Sequence, residues 1–228
     1  MTGRIRIGLL FGNKLVREGR RMLLQSQPDF DIVWEGSDGL AAVDELTNAV
    51  LDVVLIDNRL STLSGIETIR RFLRRSDSND SSVPVFVLTG PFRSGQMAIE
   101  AIRCGAVDLV TEEDSAEKIV EAMRAATNPH RQVDFAGMQA FFEEQGIAQG
   151  SNTRWLLRLS DVTMQEQAVL DALSLGVPYE RLAQETNISS ETIEEIFDSL
   201  QGRWNFFSRS QLALALHESG LLAAKEVD

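Results

Sequence analysis

Residues 4–126 alternate five times between a short apolar run and a longer segment with apolar side chains at helical spacing. The apolar runs at 4–10 (RIRIGLL), 30–34, 53–56, 83–88 and 107–110 read as strands. The segments at 14–25, 40–46, 65–73, 97–103 and 116–126 read as helices. The run at 53–56 (VVLI) carries no polar residue, as expected of a strand buried on both faces. Such an alternation folds as βαβ units: a parallel sheet of five strands with helices on both sides. Chemistry in sheets of this kind gathers at the carboxyl ends of the strands. Here those ends are residues 10–12, Asp57, Thr89 and residues 111–112.

The alternation stops at residue 127. TNPHRQVDF carries a proline and polar residues, and GIAQGSNTR is rich in glycine and serine. Between them MQAFFEE, at 138–144, predicts a short helix in a linker. From about residue 157 the pattern is helical throughout: 163–173, 179–184, 191–200 capped by Ser190, and 208–216. Two short helices joined by a tight turn before a longer one form the helix-turn-helix pattern. The expected division is 1–127, a linker at 128–157, and 158–228.

Composition excludes several classes. No apolar run reaches the ~18 residues of a membrane span, and the N-terminus lacks the long apolar stretch and cleavage site of a secretory signal. Cys104 is the only cysteine, so no internal disulfide or cysteine zinc cage forms, and two histidines make a poor start for a metal site. No nucleophile triad or paired-carboxylate constellation stands at useful spacing, so neither an enzyme nor a cofactor is expected. A cytoplasmic protein is expected. Its net charge of −12 opposes non-specific attraction to nucleic acid.

The residues carry a resemblance over nearly the whole chain. LVREG at 15–19, DVVLIDNRL at 52–60 followed by Gly65, VLT at 87–89 and AIRCGA at 101–106 resemble the receiver of response regulators. VTMQEQAVL at 162–170, Gly176, Leu182-Ala183, ISSETI at 188–193 and SRSQLA at 208–213 resemble the DNA-binding domain of the NarL/LuxR (FixJ) class. The resemblance implies a flavodoxin-like, CheY-like doubly wound receiver joined to a small all-α LuxR-type helix-turn-helix domain. It also implies two-component signalling and transcription regulation.

A working receiver of that family needs an acidic pair after the first strand, an aspartate after the third, a Ser/Thr after the fourth and a lysine after the fifth. The carboxylates hold Mg²⁺ against the incoming phosphoryl group, and the lysine and hydroxyl then engage the acyl phosphate. This chain keeps Asp57 and Thr89 but has Phe11 and Gly12 at the acidic pair and Glu112 at the lysine. Leu109 stands at the aromatic switch position. Asp57 is left as the vestigial phosphoacceptor position beside a like charge, with Lys14 or Arg59 able to reach it in a structural ion pair. The reading is an atypical pseudo-receiver, independent of phosphorylation.

The second domain departs in the same direction. Where the family's recognition helix carries lysines, 190–203 reads SETIEEIFDSLQGR. Ile193, Phe197 and Leu200 form the core stripe, which sets Glu191, Glu194, Glu195 and Asp198 on the exposed, DNA-facing side with Thr192. Residues 151–228 hold 6 basic and 12 acidic residues. Arg203, Arg209 and Arg181 are the candidates for phosphate contacts, so DNA binding by this chain alone is expected to be weak. The last helix is apolar on more than one face, more than a four-helix domain buries; Leu212, Leu216 and Leu221 are expected at a dimer contact, as the family implies. Cys104 is expected as a buried small side chain, Phe141-Phe142 as packing groups, and one of Phe206 and Phe207 as facing a partner.

Three functions remain open at this point. The chain is a phosphorylation-independent regulator of transcription, acting as a homodimer or as a heterodimer with another regulator. Or it is an interaction module that titrates such a regulator without touching DNA. Or it senses a small molecule in the degenerate receiver pocket.

Overall fold

The computed structural model describes residues 3–76, 83–91, 95–128, 135–147 and 162–219. They fall into two compact units, Met1–Arg131 and Gln132–Asp228.

In the first unit the order is β1 (Ile5–Leu10), α1 (Lys14–Gln25), β2 (Phe30–Gly36), α2 (Gly39–Glu45), β3 (Val53–Asp57), α3 (Gly65–Leu73), β4 (Val85–Thr89), α4 (Gly95–Cys104), β5 (Ala106–Val110) and α5 (Ala116–Ala126). All neighbouring strands are parallel, in the order β2-β1-β3-β4-β5. Val53, Val54, Leu55 and Ile56 of β3 are fully buried, as a central strand covered on both faces requires. One face packs Ile7, Leu9, Val87 and Val110 against Leu24, Ile119 and Met123. The other buries Val54, Ile56, Phe86 and Leu88 with Ile69 and Phe72, the two rings meeting edge to face at 5.5 Å. β4 begins at Val85 rather than 83, because Pro84 has no N–H to give a ladder.

Helices start where a polar side chain accepts the first free N–H groups. Asn13 caps α1, Asp38 α2, Ser64 α3 and Ser115 α5. Gly65 is demanded by close approach: a Cβ there would lie 2.8 Å from the Asp57 carbonyl oxygen and 2.8 Å from Leu88 Cδ1. This contact tucks α3 under the end of β3 and fixes the loop that carries Asp57. The strand order reverses between β1 and β3, so Phe11 and Asp57 flank the crevice where such sheets bind ligands.

The second unit contains α6 (Phe135–Glu144), α7 (Met164–Ser174), α8 (Tyr179–Thr186), α9 (Ser190–Trp204) and α10 (Arg209–Ser219). Thr163 and Glu166 close a reciprocal capping box at the head of α7. Asn187, left-handed at φ 55°, ends α8, and Ser189 rather than Ser190 caps α9 two residues later. That tight turn completes the helix-turn-helix. α9 buries Ile193, Ile196, Phe197, Leu200 and Trp204, and runs one turn beyond the expected end before left-handed Asn205 stops it.

The helix expected in a linker belongs to the second unit. α6 starts at Phe135 and buries Phe142 completely. Among the described residues it adds a fifth helix, and Leu212 to Leu216 are each at most 4% exposed within one chain, so the premise that four helices leave α10 partly uncovered fails.

Candidate functional site

The crevice at the strand ends is built from an apolar side, two carboxylates and arginines. Phe11 is 1% exposed and part of the core, and its carbonyl accepts a 2.6 Å hydrogen bond from Arg17. Gly12 offers no side chain, although a Cβ there would meet only ordinary contacts, the nearest Arg59 O at 3.6 Å. Asp57 is 7% exposed, and Oδ1 accepts the Arg59 backbone N–H at 2.9 Å. The Arg59 side chain turns back over it, Nε 3.9 Å from the same oxygen, while its far nitrogen pairs with Glu112. Thr89 is buried beside Asp57 in the β3–β4 register.

Arg59 thus spans the two carboxylates that would otherwise repel each other. Of the two cations named from sequence as able to reach Asp57, it is the one that does so. Arg20, half-buried on α1, is affected by the same carboxylate: burial lowers its pKa and the Asp57 charge opposes that. Arg17 and Arg20 were not anticipated; their spacing on the inner side of α1 is the only signal that sequence offers.

Mg²⁺, which a receiver fold implies, does not fit this donor set. Phe11 and Gly12 supply no oxygen side chain, and Asp57 Oδ1 already accepts an N–H and faces a guanidinium. A hard cation that dehydrates reluctantly needs more carboxylate than this. Among the described residues no group of three His, Cys, Asp or Glu is placed to hold a metal ion.

In the second unit the expected DNA-facing residues separate into two sets. Glu191, Glu195 and Asp198 are exposed and Thr192 is half-exposed. Glu194 is not a free surface acid: it pairs with Arg209 and accepts the Tyr179 hydroxyl. Arg209 is 7% exposed, its guanidinium 4.5 Å from the Phe197 ring centre and 5.2 Å from that of Tyr179. The placement of Glu194 and Arg209 on the DNA side is corrected accordingly. Helical spacing puts Glu194 at the edge of the core stripe, where an α10 arginine reaches it.

Arg203 is likewise committed. It donates to Glu166 at 2.5 Å, a carboxylate only 5% exposed that also caps α7. Burial pushes the Glu166 pKa up, but the Thr163 N–H and the Arg203 guanidinium outweigh it and hold the group below the ordinary carboxylate range. The Thr163-x-x-Glu166 spacing could have marked that acid in advance. Arg181 pairs with Glu185 one turn on, at 2.5 Å.

Leu212 and Leu216, expected at a dimer contact, are buried inside the chain, and Leu221 lies outside the described residues. Phe206 is 6% exposed and Phe207 half-buried. Cys104 is buried as expected, and desolvation pushes its thiol up to about 12, which keeps it protonated.

Residues 12–124 match the response regulator receiver domain. The first unit has the receiver fold. Over nearly full length the chain is similar to transcriptional regulators. It is 25% identical to the transcriptional regulatory protein YdfI of Bacillus subtilis, over 91% of this chain and 93% of that one. It is 27% identical to the nitrate/nitrite response regulator protein NarP of Escherichia coli, over 86% of each chain. A solved two-component response regulator of the LuxR family, from Aurantimonas, is 25% identical with a TM-score of 0.54, covering 63% of this chain and 99% of that one. The homologues are response regulators of the NarL/LuxR type that act in transcription. Among the described residues, no helix is long and apolar enough to cross a membrane.

Proposed function

We propose that this chain is a response-regulator-like protein of transcription control whose receiver is a pseudo-receiver, working without phosphorylation. The observation that carries this reading is Arg59 lying between Asp57 and Glu112. In a working receiver a metal ion and a lysine supply the positive charge around the phosphoacceptor, and both arrive or engage with the phosphoryl group. Here the charge is covalently attached, next-but-one in sequence, and always present. A pocket neutralised in this way has no need of Mg²⁺, and Glu112 repels an incoming phosphoryl group where the family attracts it.

Activity then depends on how the chain assembles. It acts as a dimer, with itself or with another regulator, through a degenerate helix-turn-helix whose own contribution to DNA affinity is small. A second reading is favoured by one observation. With Arg203 and Arg209 tied to Glu166 and Glu194, the exposed side of α9 presents Glu191, Glu195 and Asp198. Phosphate contacts provide most of the affinity of such folds, so the chain also fits a module that pairs with a regulator and withholds it from DNA.

Duplex binding by the full chain, measured across salt concentrations with and without acetyl phosphate and Mg²⁺, tests the proposal. Binding is expected to be weak near ~150 mM salt and indifferent to the phosphodonor. Tight binding that appears only after phosphodonor treatment would overturn it.

A further inference from the structure

We infer that the crevice around Asp57 is a binding site for an organic cation, an alkylguanidinium, and that Arg59 is its tethered competitor. The inference rests on the reading that the receiver works without phosphorylation, and names what its crevice takes instead.

Asp57 and Thr89 are 7% and 4% exposed, yet each keeps a polar atom without a hydrogen-bond partner among the described residues. Asp57 Oδ1 accepts the Arg59 N–H at 2.9 Å, and Oδ2 accepts none. The Thr89 hydroxyl neither donates nor accepts. Neither atom is sealed off: among the described residues, the only side-chain oxygen or nitrogen that is both inaccessible and unpartnered is His217 Nδ1. Asp57 and Thr89 are partners in the β3–β4 register, so their side chains leave the sheet on the same side. Both atoms therefore open on the crevice, with Glu112 across from them at the end of β5.

Each of these groups can accept, so the missing piece is a donor, and two carboxylates fix its charge as positive. A hard metal ion does not suit the set, as the comparison with Mg²⁺ shows. A guanidinium does, because its planar fork of five N–H donors reaches several oxygens at once. The chain itself places one there: Arg59 spans Asp57 and Glu112. It occupies only the rim. Its Nε stays 3.9 Å from Asp57 Oδ1, beyond hydrogen-bond distance, and its side chain is 58% exposed. Exposed ion pairs of this kind are weak and exchange readily. Arg20 does not fill the site either; it feels the Asp57 charge from α1 and makes no hydrogen bond among the described residues.

The mouth of the crevice is apolar where the fold does not require it. Leu15, in the first turn of α1, and Leu40, in the first turn of α2, are 82% and 53% exposed. Both helices begin beside Gly12, where a Cβ would lie 3.8 Å from the Ser37 carbonyl oxygen that precedes α2. Apolar side chains around a few convergent polar groups suit a ligand with a cationic head and an alkyl tail.

Calorimetric titration of the full chain with n-butylguanidinium, and with n-butyl sulfate as the anionic control, tests this. Arg59→Ala removes the competitor and should bind butylguanidinium at least about threefold more tightly than the unmodified chain. Adding Asp57→Asn to that variant should reverse the gain. Butyl sulfate should bind none of them. The inference is overturned if Arg59→Ala binds no more tightly, if Asp57→Asn leaves its affinity unchanged, or if butyl sulfate binds as well. Should Arg59→Ala not fold, Glu112→Gln in the otherwise unmodified chain decides: it should weaken butylguanidinium binding, and an unchanged affinity would overturn the inference. None of these measurements involves a phosphodonor, so failure here leaves the pseudo-receiver reading to its own test.

Discussion

Reversing one glutamate on α9 should unfold the second unit far more easily than reversing its neighbour. Glu194→Lys places an ammonium against Arg209, which is 7% exposed and sandwiched near the Phe197 and Tyr179 rings, and removes the acceptor of the Tyr179 hydroxyl. Breaking a buried ion pair by losing one partner costs about 3–5 kcal/mol. The Glu194 side chain keeps 21% exposure, which favours the lower end, about 3 kcal/mol. Glu195→Lys changes an exposed residue and should stay within about 0.5 kcal/mol. Trp204, buried against Phe206, reports this unit in urea unfolding followed by fluorescence. With a slope of about 1.5 kcal/mol per molar, the Glu194 midpoint should fall by about 2 M and the Glu195 midpoint by less than about 0.4 M. Equal midpoints for the two variants would show that Glu194 is an ordinary surface acid, and the assignment of Arg209 to the core would fall with it.

Three further outcomes are expected. Glu166 has a lowered pKa in the folded chain, so its stabilisation is complete above the ordinary carboxylate value of about 4.3 and is lost as pH falls through the folded value; acid unfolding of the second unit should flatten in Glu166→Gln, and an unchanged profile would remove Glu166 from the account. Glu191→Lys with Glu195→Lys, both exposed, should raise non-specific duplex affinity and steepen its salt dependence by about two units, read from binding at several salt concentrations; no change in slope would place α9 away from DNA. Gly65→Ala should cost about 1–3 kcal/mol because its methyl meets the Asp57 carbonyl at 2.8 Å, while Gly12→Ala should be nearly neutral in thermal unfolding, and the reverse order would contradict the geometry around Asp57.

The parallel sheet was legible because its signal is strong and local: a wholly apolar β3 and helical spacing in α1 and α5. The substitutions at Phe11, Gly12 and Glu112 were equally legible, since they are departures from a motif at fixed places. What periodicity could not give was the partner of each charged side chain. A helical pattern says that Glu194 lies at the border of a buried stripe. It does not say that Arg209, fifteen residues later, closes over it. The same holds for Arg203 and Glu166, 37 residues apart. Counting helices misled in another way. α6 was visible as MQAFFEE, but its glycine and flanking polar stretches read as linker, so α10 was left with nothing to cover it. The partner of His217 had no signal at all: it is a carbonyl supplied by a turn 70 residues earlier.

The central claim is that Arg59 and Glu112 have replaced the phosphorylation chemistry around Asp57. Intact-mass measurement after incubation with acetyl phosphate and Mg²⁺ tests it most directly, with Asp57→Asn alongside. The unmodified chain should keep its mass, as should Asp57→Asn. A stable species heavier by one phosphoryl group, present in the unmodified chain and absent from Asp57→Asn, would contradict the claim.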